Sequence, residues 1–195
     1  MAAPPPPVVL VLGDSLSAAY GIDPQDGWVA LLETALQREG HPHRVVNASI
    51  SGETTSGGRR RLPDLLSAHR PDLVIIELGA NDGLRGIALN EVQANLEAMV
   101  EATVASGARP ALVRMQVPPN YGPEYTQGFK AIYDTLPDAH PSLMVVPFFL
   151  ADVILEPGLM QADGLHPTAE AQPRLLATVW SRLAGYFDTH AVEQP

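Results

Sequence analysis

The sequence predicts an α/β protein: a single three-layer α/β/α domain built on a five-stranded parallel sheet. Short apolar runs alternate along the chain with stretches of helical spacing, as in repeated β-α-β units. The runs are continuously apolar, which is typical of strands buried on both faces of a parallel sheet. The 195 residues suit one domain, since domains most often have about 100 to 150 residues. We expect a flavodoxin-like strand order of 2-1-3-4-5.

Five segments have the length and composition of strands. The first, VVLVL at residues 8–12, and the third, LVIIEL at residues 73–78, are strongly apolar. The others lie at residues 45–46, 111–115 and 143–146. Because the strands of a parallel sheet run in one direction, the residues that follow each strand are expected to meet at one edge, where ligands bind in such sheets.

Helices are predicted between the strands from the spacing of apolar side chains. One helix ends at Gly40 and a longer one at Gly107, and a last helix covers about residues 168 to 187. Residues 116–125 are predicted to be a long irregular loop, and such loops tend to be functional. The apolar positions of the first helix are Trp28, Leu31, Leu32, Ala35 and Leu36, and those of the later, longer helix are Val92, Leu96, Met99, Val100 and Val104.

No internal repeat or linker divides the chain. The proline-rich residues 1–7 are expected to form an extended arm, residues 8–188 the folded domain and residues 189–195 a tail. The arm lacks the basic and apolar regions of a signal peptide. The protein is therefore expected to be cytoplasmic, or to have had an export signal replaced by Met1.

Composition excludes several classes of function. The net charge of −10 would repel phosphate backbones, and the basic run Arg59–Arg61 is too short to bind nucleic acid. No apolar stretch approaches the roughly 20 residues of a membrane span, so we expect a soluble protein without a membrane anchor. The absence of cysteine excludes disulfides, a thiol nucleophile and thiolate metal sites.

A serine follows the first strand directly, in the motif Gly13-Asp14-Ser15-Leu16-Ser17. Further polar groups follow later strands: Gly52 offers a main-chain amide, Asn81 a side-chain amide, and Asp163 and His166 stand three residues apart. Serine, histidine and aspartate together supply the nucleophile, the base and the orienting acid of acyl transfer. The sequence thus predicts a serine hydrolase.

Each of these residues has an expected role. Ser15 attacks the substrate carbonyl carbon, His166 transfers the proton, and Asp163 orients the imidazole. The amides of Ser15, Gly52 and Asn81 form the oxyanion hole. Asp14 is expected to point away from Ser15 and to have a structural role in the turn.

Four sequence blocks resemble the SGNH (GDSL) hydrolases, whose four name residues correspond to Ser15, Gly52, Asn81 and His166. The blocks begin at residues 13, 48, 77 and 163 and, with PNYG at residues 119–122, most resemble the bacterial thioesterase, lysophospholipase and arylesterase members. The resemblance covers nearly all of residues 8–188. It implies hydrolysis of carboxylic esters and thioesters with medium to long acyl chains, without a metal or organic cofactor, and export to the periplasm or secretion. A monomer that acts on a small-molecule acyl ester or thioester is favoured.

Simpler interpretations exist for each residue. Ser15 could cap the first helix, and Asn81 with Asp82 could form a turn before Gly83. His166 could be a surface histidine, as we expect for His41, His43, His69, His140 and His190. Asp163 and His166 could bind a metal, but no further ligands stand at suitable spacing.

The residues that would contact the acyl chain are predicted from the loops after the third and fourth strands. They could wall an apolar groove, or they could simply pack as loops. The candidates are Leu84, Arg85, Ile87, Val117, Pro119 and Tyr121.

Two other functions remain open. A carbohydrate O-deacetylase of the same superfamily would prefer acetyl esters, and a flavodoxin-like binding module would hold a ligand without reacting with it. An α/β-hydrolase is disfavoured because its nucleophile motif, G-x-S-x-G, differs from G-x-S-x-S here.

Overall fold

The computed structural model describes residues 5–189. Five parallel strands form one sheet in the order β2-β1-β3-β4-β5, which confirms the predicted fold class and strand order. The strands are β1 (Val8–Gly13), β2 (Arg44–Asn47), β3 (Leu73–Glu77), β4 (Arg109–Val113) and β5 (Met144–Val146).

Helices cover both faces of the sheet. Helix α1 packs against α6, whereas α4 packs against α2 and α5, which gives the three layers. The helices are α1 (Trp28–Arg38), α2 (Thr55–His69), α3 (Ala80–Leu84), α4 (Leu89–Ala105), α5 (Pro123–Ala139) and α6 (Gln172–Thr189). Short 3-10 turns lie at Pro24–Asp26, Pro119–Tyr121 and Ala169–Ala171.

The core is centred on the two most apolar strands. Every residue of β1 and β3 is buried, whereas the edge strands β2 and β5 are only partly so. Burying one large aliphatic side chain contributes about 1.5–3 kcal/mol, so these continuous apolar runs fix the centre of the sheet. The sheet in turn fixes the edge at which the residues after β1 and β3 lie.

The predicted helix ends are confirmed. Gly40 and Gly107 follow α1 and α4 with φ angles of 80° and 89°, a left-handed conformation that glycine adopts readily. The predicted irregular loop is shorter than expected, because α5 already begins at Pro123. Proline suits this first helical position, where no intrahelical amide bond is required.

Two histidines expected on the surface are buried. His41 and His43 precede β2 and pack against Phe187 of α6, with ring centroids 5.8 Å and 5.1 Å apart. Their ring carbons therefore contribute to the packing between β2 and the last helix. His190, expected on the surface, lies outside the described residues.

The sheet pairing and the last helix extend to near the two ends of the described residues. The carbonyl of Pro7 accepts a hydrogen bond from the Arg44 amide at 2.9 Å, so the sheet pairing begins one residue before β1. Helix α6 continues to Thr189, one residue past the predicted end of the domain. Most of the predicted arm, residues 1–4, and most of the tail, residues 190–195, lie outside the described residues. Within residues 5–189, no helix has the length and apolar character that crossing a membrane requires.

Candidate active site

Ser15 lies in a tight turn directly after β1, at the carboxyl edge of the sheet. The carboxyl group of Glu77, the last residue of β3, accepts hydrogen bonds from the Asp14 amide at 3.2 Å and the Ser17 hydroxyl at 2.6 Å. The turn is therefore attached to β3 on both sides of Ser15. A side chain is excluded at Gly13, because a Cβ there would lie 2.7 Å from both Glu77 Oε2 and Ser17 Oγ.

Asp163 and His166 lie on one turn between β5 and α6. Asp163 Oδ1 accepts hydrogen bonds from the main-chain amides of Leu165 at 2.9 Å and His166 at 3.0 Å. Between them Gly164 has a φ angle of 67°, which glycine adopts without strain. The local fold thus brings the Asp163 carboxylate beside the imidazole ring.

The side chains of Ser15, His166 and Asp163 form a continuous hydrogen-bonded chain. His166 Nε2 lies 2.8 Å from Ser15 Oγ, and His166 Nδ1 lies 2.7 Å from Asp163 Oδ2. The hydrogen bond from the imidazole, followed by the two amide bonds, lowers the pKa of Asp163 to about 2. Because this ionised carboxylate accepts from Nδ1–H, the lone pair of Nε2 is available to the Ser15 hydroxyl proton.

Two residues that sequence reasoning missed support His166. The ring of Tyr20 lies against the imidazole, with centroids 4.4 Å apart. The side-chain amide of Gln161 donates to the carbonyl oxygens of Tyr20 at 2.8 Å and Pro167 at 3.0 Å. Gln161 therefore links the segment that follows the serine turn to the histidine loop.

The predicted oxyanion-hole donors differ in whether they already donate a hydrogen bond within the protein. Within residues 5–189, the main-chain amides of Ser15 and Gly52 have no hydrogen-bond acceptor. The side-chain amide of Asn81, by contrast, donates to Asp14 Oδ2 at 2.9 Å and to the carbonyl oxygen of Glu53 at 3.0 Å. Two main-chain donors are thus free, and Asn81 can bind an oxyanion only by giving up or sharing one of its present bonds.

Two buried carboxyl groups lie beneath the serine turn. Burial raises the pKa of Asp14 from 3.8 to about 6, against the opposing effects of the Leu16 amide bond and the nearby His166. Burial also raises the pKa of Glu77 well above its usual value, and the adjacent Asp14 carboxyl group raises it further. One oxygen of Asp14 accepts from the Leu16 amide within the turn, and the other holds the side chain of Asn81.

A second network holds the Gly52 segment near Asn81. The buried carboxylate of Asp82 accepts from the Thr55 amide at 2.9 Å and from the Thr55 hydroxyl. Thr55 is the first residue of α2, so this carboxylate also lies at the positive end of that helix. Asp82 therefore fixes the start of α2 against the segment that carries Asn81.

An apolar cavity of about 350 Å³ opens beside Ser15, Asn81 and His166. Three of the predicted acyl-chain residues, Leu84, Val117 and Pro119, line it. Four further apolar lining residues, which the sequence did not indicate, come from the loop between β5 and α6: Phe148, Leu150, Ile154 and Leu165.

The other three predicted acyl-chain residues do not line this cavity. The guanidinium of Arg85 donates to the carbonyl oxygen of Gly52 at 3.1 Å. Tyr121 donates its hydroxyl to the carbonyl oxygen of Leu84 at 2.7 Å, and the carbonyl of Ile87 accepts from the Tyr125 hydroxyl at 2.8 Å. These residues hold the loop after Asn81 in place behind the cavity wall.

One group of described residues could bring metal-ligating atoms together, and it lies outside this cavity. Ligand atoms of Glu97, Glu101 and His140 lie within 4.8 Å of one another at the end of α4 and after α5. Asp163 and His166 have no third ligand of this kind among residues 5–189. Their contacts with each other and with Ser15 fit proton transfer.

The sequence is similar to known lipolytic enzymes. The model of the GDSL-like Lipase/Acylhydrolase family matches residues 11–173. Esterase TesA of Pseudomonas aeruginosa is 53% identical over 175 residues, which are 90% of this chain and 87% of that protein. Thioesterase 1/protease 1/lysophospholipase L1 of Escherichia coli is 43% identical over 165 residues, covering 85% and 77%.

Solved structures of related enzymes have the same architecture. The crystal structure of TesA matches with a TM-score of 0.87 at 52% identity and covers 91% of this chain and 98% of that chain. The psychrotrophic esterase EstA from Pseudoalteromonas, in a structure inhibited by monoethylphosphonate, matches with a TM-score of 0.88 at 40% identity, covering 93% and 98%. The similarity thus extends over the complete α/β domain.

Proposed function

The chain belongs to the GDSL-like lipase/acylhydrolase family and is a carboxylic ester hydrolase, and from this premise we propose that it cleaves acyl esters and thioesters through an acyl-enzyme on Ser15. The observation that carries the proposal is the hydrogen-bonded chain Ser15–His166–Asp163 at the mouth of an apolar cavity. The names of its relatives, esterase, arylesterase and thioesterase, support the same chemistry.

Acylation begins when Ser15 Oγ attacks the carbonyl carbon of the substrate. His166 Nε2, 2.8 Å away, accepts the hydroxyl proton, and the Asp163 carboxylate stabilises the imidazolium that forms. The carbonyl oxygen gains negative charge and binds the free amides of Ser15 and Gly52. Asn81 contributes if one of its hydrogens leaves the Glu53 carbonyl for the oxyanion.

The tetrahedral intermediate collapses when His166 returns its proton to the leaving group. The carbon–oxygen or carbon–sulfur bond breaks, releasing an alcohol or a thiol and leaving the acyl group on Ser15. His166 then removes a proton from water, which attacks the acyl carbonyl. Breakdown of the second intermediate releases the carboxylic acid and returns the proton to Ser15. Every proton transfer uses this chain's own groups.

The cavity favours an acyl chain over a sugar as the group beside Ser15. Its walls are mostly aliphatic, proline and aromatic side chains, and the polar groups concentrate near Ser15 and His166. Burial of each methylene contributes about 0.8 kcal/mol, so a chain of several carbons binds more tightly than an acetyl group. We therefore propose medium to long acyl chains as substrates.

Hydrolysis of p-nitrophenyl acetate, butyrate, octanoate and palmitate, without added metal, tests this function. The proposal predicts turnover that peaks at butyrate or longer and disappears in Ser15→Ala. A fluorophosphonate should add its mass to the wild-type protein and leave Ser15→Ala unmodified. A peak at acetate would instead indicate a deacetylase, and absence of both turnover and adduct would indicate a binding module.

A periplasmic or extracellular location is part of the same proposal, with the cytoplasm as the alternative. It is supported by the resemblance of the sequence to exported bacterial thioesterases. The absence of cysteine is compatible with either redox environment and does not distinguish the two locations. Fractionation of cells that express the protein from its own gene would distinguish the two locations.

A further inference from the structure

Glu77 lies beneath the serine turn and takes no part in the proton transfers proposed above. Its side chain is fully buried. Oε2 accepts from the Asp14 amide and the Ser17 hydroxyl, whereas Oε1 is buried with no hydrogen-bond partner within residues 5–189. Over the same range, no lysine or arginine forms an ion pair with it. The described surroundings therefore bind one of its oxygens and leave the other without a hydrogen bond or an ion pair.

Such an environment favours the neutral form of a carboxyl group. An ionised carboxylate in a fully buried site is strongly disfavoured unless a counter-charge and hydrogen bonds to both oxygens compensate its lost hydration. The buried carboxyl group of Asp14 adds repulsion, and it is better suited to the negative charge because donors bind both of its oxygens. The raised pKa of Glu77 agrees with this assignment.

We propose that Glu77 is a positioning residue for Ser15 and acts as a neutral carboxylic acid. Its two anchor points, the Asp14 amide and the Ser17 hydroxyl, flank Ser15 in the chain. They fix both reactive groups of that residue: the hydroxyl that faces His166 and the amide that faces the oxyanion. The inference rests on the proposed function of Ser15.

Neutrality has a direct consequence for the reaction. The oxyanion forms beside the Ser15 amide, on the turn that Glu77 supports from below. A negative charge at Glu77 would oppose the charge that develops on this oxygen in the transition state. A neutral acid positions the turn without that electrostatic penalty. The same contacts account for Gly13, since a side chain there would displace the carboxyl group or Ser17.

Substitutions at Glu77 separate positioning from charge. Glu77→Gln has nearly the same shape, lacks charge and keeps a carbonyl oxygen for both donors, so its kcat should stay within about threefold of wild type. Glu77→Leu removes the acceptor, and the misplaced serine should lower kcat by about 100-fold while KM changes less than about threefold. Ser17→Ala removes one anchor and should lower kcat by about tenfold.

A matched control comes from the other end of the same strands. Asp72 Oδ2 accepts from the Val8 amide at 2.7 Å, so Asp72→Ala also removes a carboxyl-to-amide bond to β1 but lies far from Ser15 along the strand. It should lower the melting temperature without lowering kcat. Equal losses of kcat in Asp72→Ala and Glu77→Leu would show that Glu77 acts only through general stability, and would overturn the positioning role.

The charge state of Glu77 can be measured directly, without an activity assay. Difference infrared spectroscopy at pH 7 should show the C=O stretch of a protonated carboxylic acid in wild type that is absent in Glu77→Gln. Its absence in wild type, or a loss of kcat in Glu77→Gln as large as in Glu77→Leu, would overturn the neutral-acid assignment. If Glu77→Leu does not fold, Ser17→Ala and the spectrum decide. Failure of the serine mechanism itself would appear separately, as wild-type turnover that survives in Ser15→Ala.

Discussion

The side-chain nitrogen of Asn81 lies 2.9 Å from Oδ2 of Asp14, so the residue before the candidate nucleophile holds a candidate oxyanion donor. The other oxygen of Asp14 accepts from the Leu16 amide at 3.0 Å. A single carboxylate thereby connects the two sides of the oxyanion hole, the serine turn after β1 and the asparagine segment after β3. It holds them best when it is ionised, because charged acceptors form the stronger hydrogen bonds.

The charge on Asp14 is expected to cost stability as the pH rises. Because burial raises the pKa of Asp14 from 3.8 to about 6, the unfolded chain releases this proton before the folded chain does. The contribution of Asp14 to the free energy of unfolding is therefore fully present below about pH 4, and it is lost as the pH rises through about 6. The loss is on the order of 3 kcal/mol.

Urea unfolding of wild type and Asp14→Asn between pH 4 and 7 measures this contribution. The wild-type free energy of unfolding should fall relative to that of the variant across this range. Glu77 contributes with the same sign from about pH 4.5 upward but is present in both proteins, whereas Asp163 has its lowered pKa near 2 and acts only below about pH 4. A difference that stays constant between pH 4 and 7 would contradict the assignment.

Replacing Asp163 by asparagine should damage catalysis more than binding. The amide can present a donor to His166 Nδ1, which favours the tautomer that cannot accept the Ser15 proton. Because Asp163 is partly exposed and water can replace it in part, we expect kcat to fall by about 10²- to 10³-fold with little change in KM. Steady-state kinetics with a p-nitrophenyl ester measure both values.

The dependence of kcat on pH provides a second test of the role of Asp163. Since the pKa of Asp163 is about 2, its carboxylate stays ionised above pH 4 and should not shape the profile there. Asp163→Asn should therefore lose kcat by the same factor at every pH from 5 to 9, as an orienting role requires. A loss of less than twofold at all pH values would exclude the orienting role.

Much of the fold could be predicted from the sequence because the strongest signals are local. The runs at 8–12 and 73–78 are too apolar to lie anywhere but the centre of the sheet, and a parallel sheet brings the residues after them together. Ser15 and Asn81 could therefore be placed at one edge without a structure. Their motifs combine polar side chains with glycines, a pattern that core packing does not require.

Contacts between distant segments could not be predicted in this way. Gln161 bonds to the carbonyl of Tyr20, 141 positions earlier, and nothing in either segment indicates the pairing. The start of α5 could not be placed, because Gly122 before the helix and Pro123 at its first position are typical of a loop. The apolar residues from Phe148 to Ile154 resemble ordinary core, so the part of the cavity wall that Phe148, Leu150 and Ile154 form could not be predicted. His41 and His43 are buried by α6, which lies far along the chain.

Asp82→Asn should destabilise the domain. The asparagine keeps one acceptor but faces its amide group toward one of the two Thr55 donors, leaving a buried hydrogen bond unmade beside the start of α2. Loss of a bond to a charged group costs about 1.5–3 kcal/mol, and urea unfolding should show a decrease of that size. Asp64→Asn, an exposed change on the same helix, is the control and should leave the free energy of unfolding unchanged.

The acyl-chain wall can be tested at Leu84 and Pro119, which line the cavity from two different loops. Serine at either position removes apolar surface that a long chain would cover and an acetyl group would not reach. Loss of about 1.5 kcal/mol of burial corresponds to a KM for octanoate that rises about tenfold, while the KM for acetate changes less than about twofold. Leu155→Ser is a matched control, because Leu155 is 91% exposed and does not line the cavity. It should leave both KM values unchanged. If Leu84→Ser and Pro119→Ser raise KM equally for acetate and octanoate, the chain does not lie against this wall and the groove must be sought elsewhere.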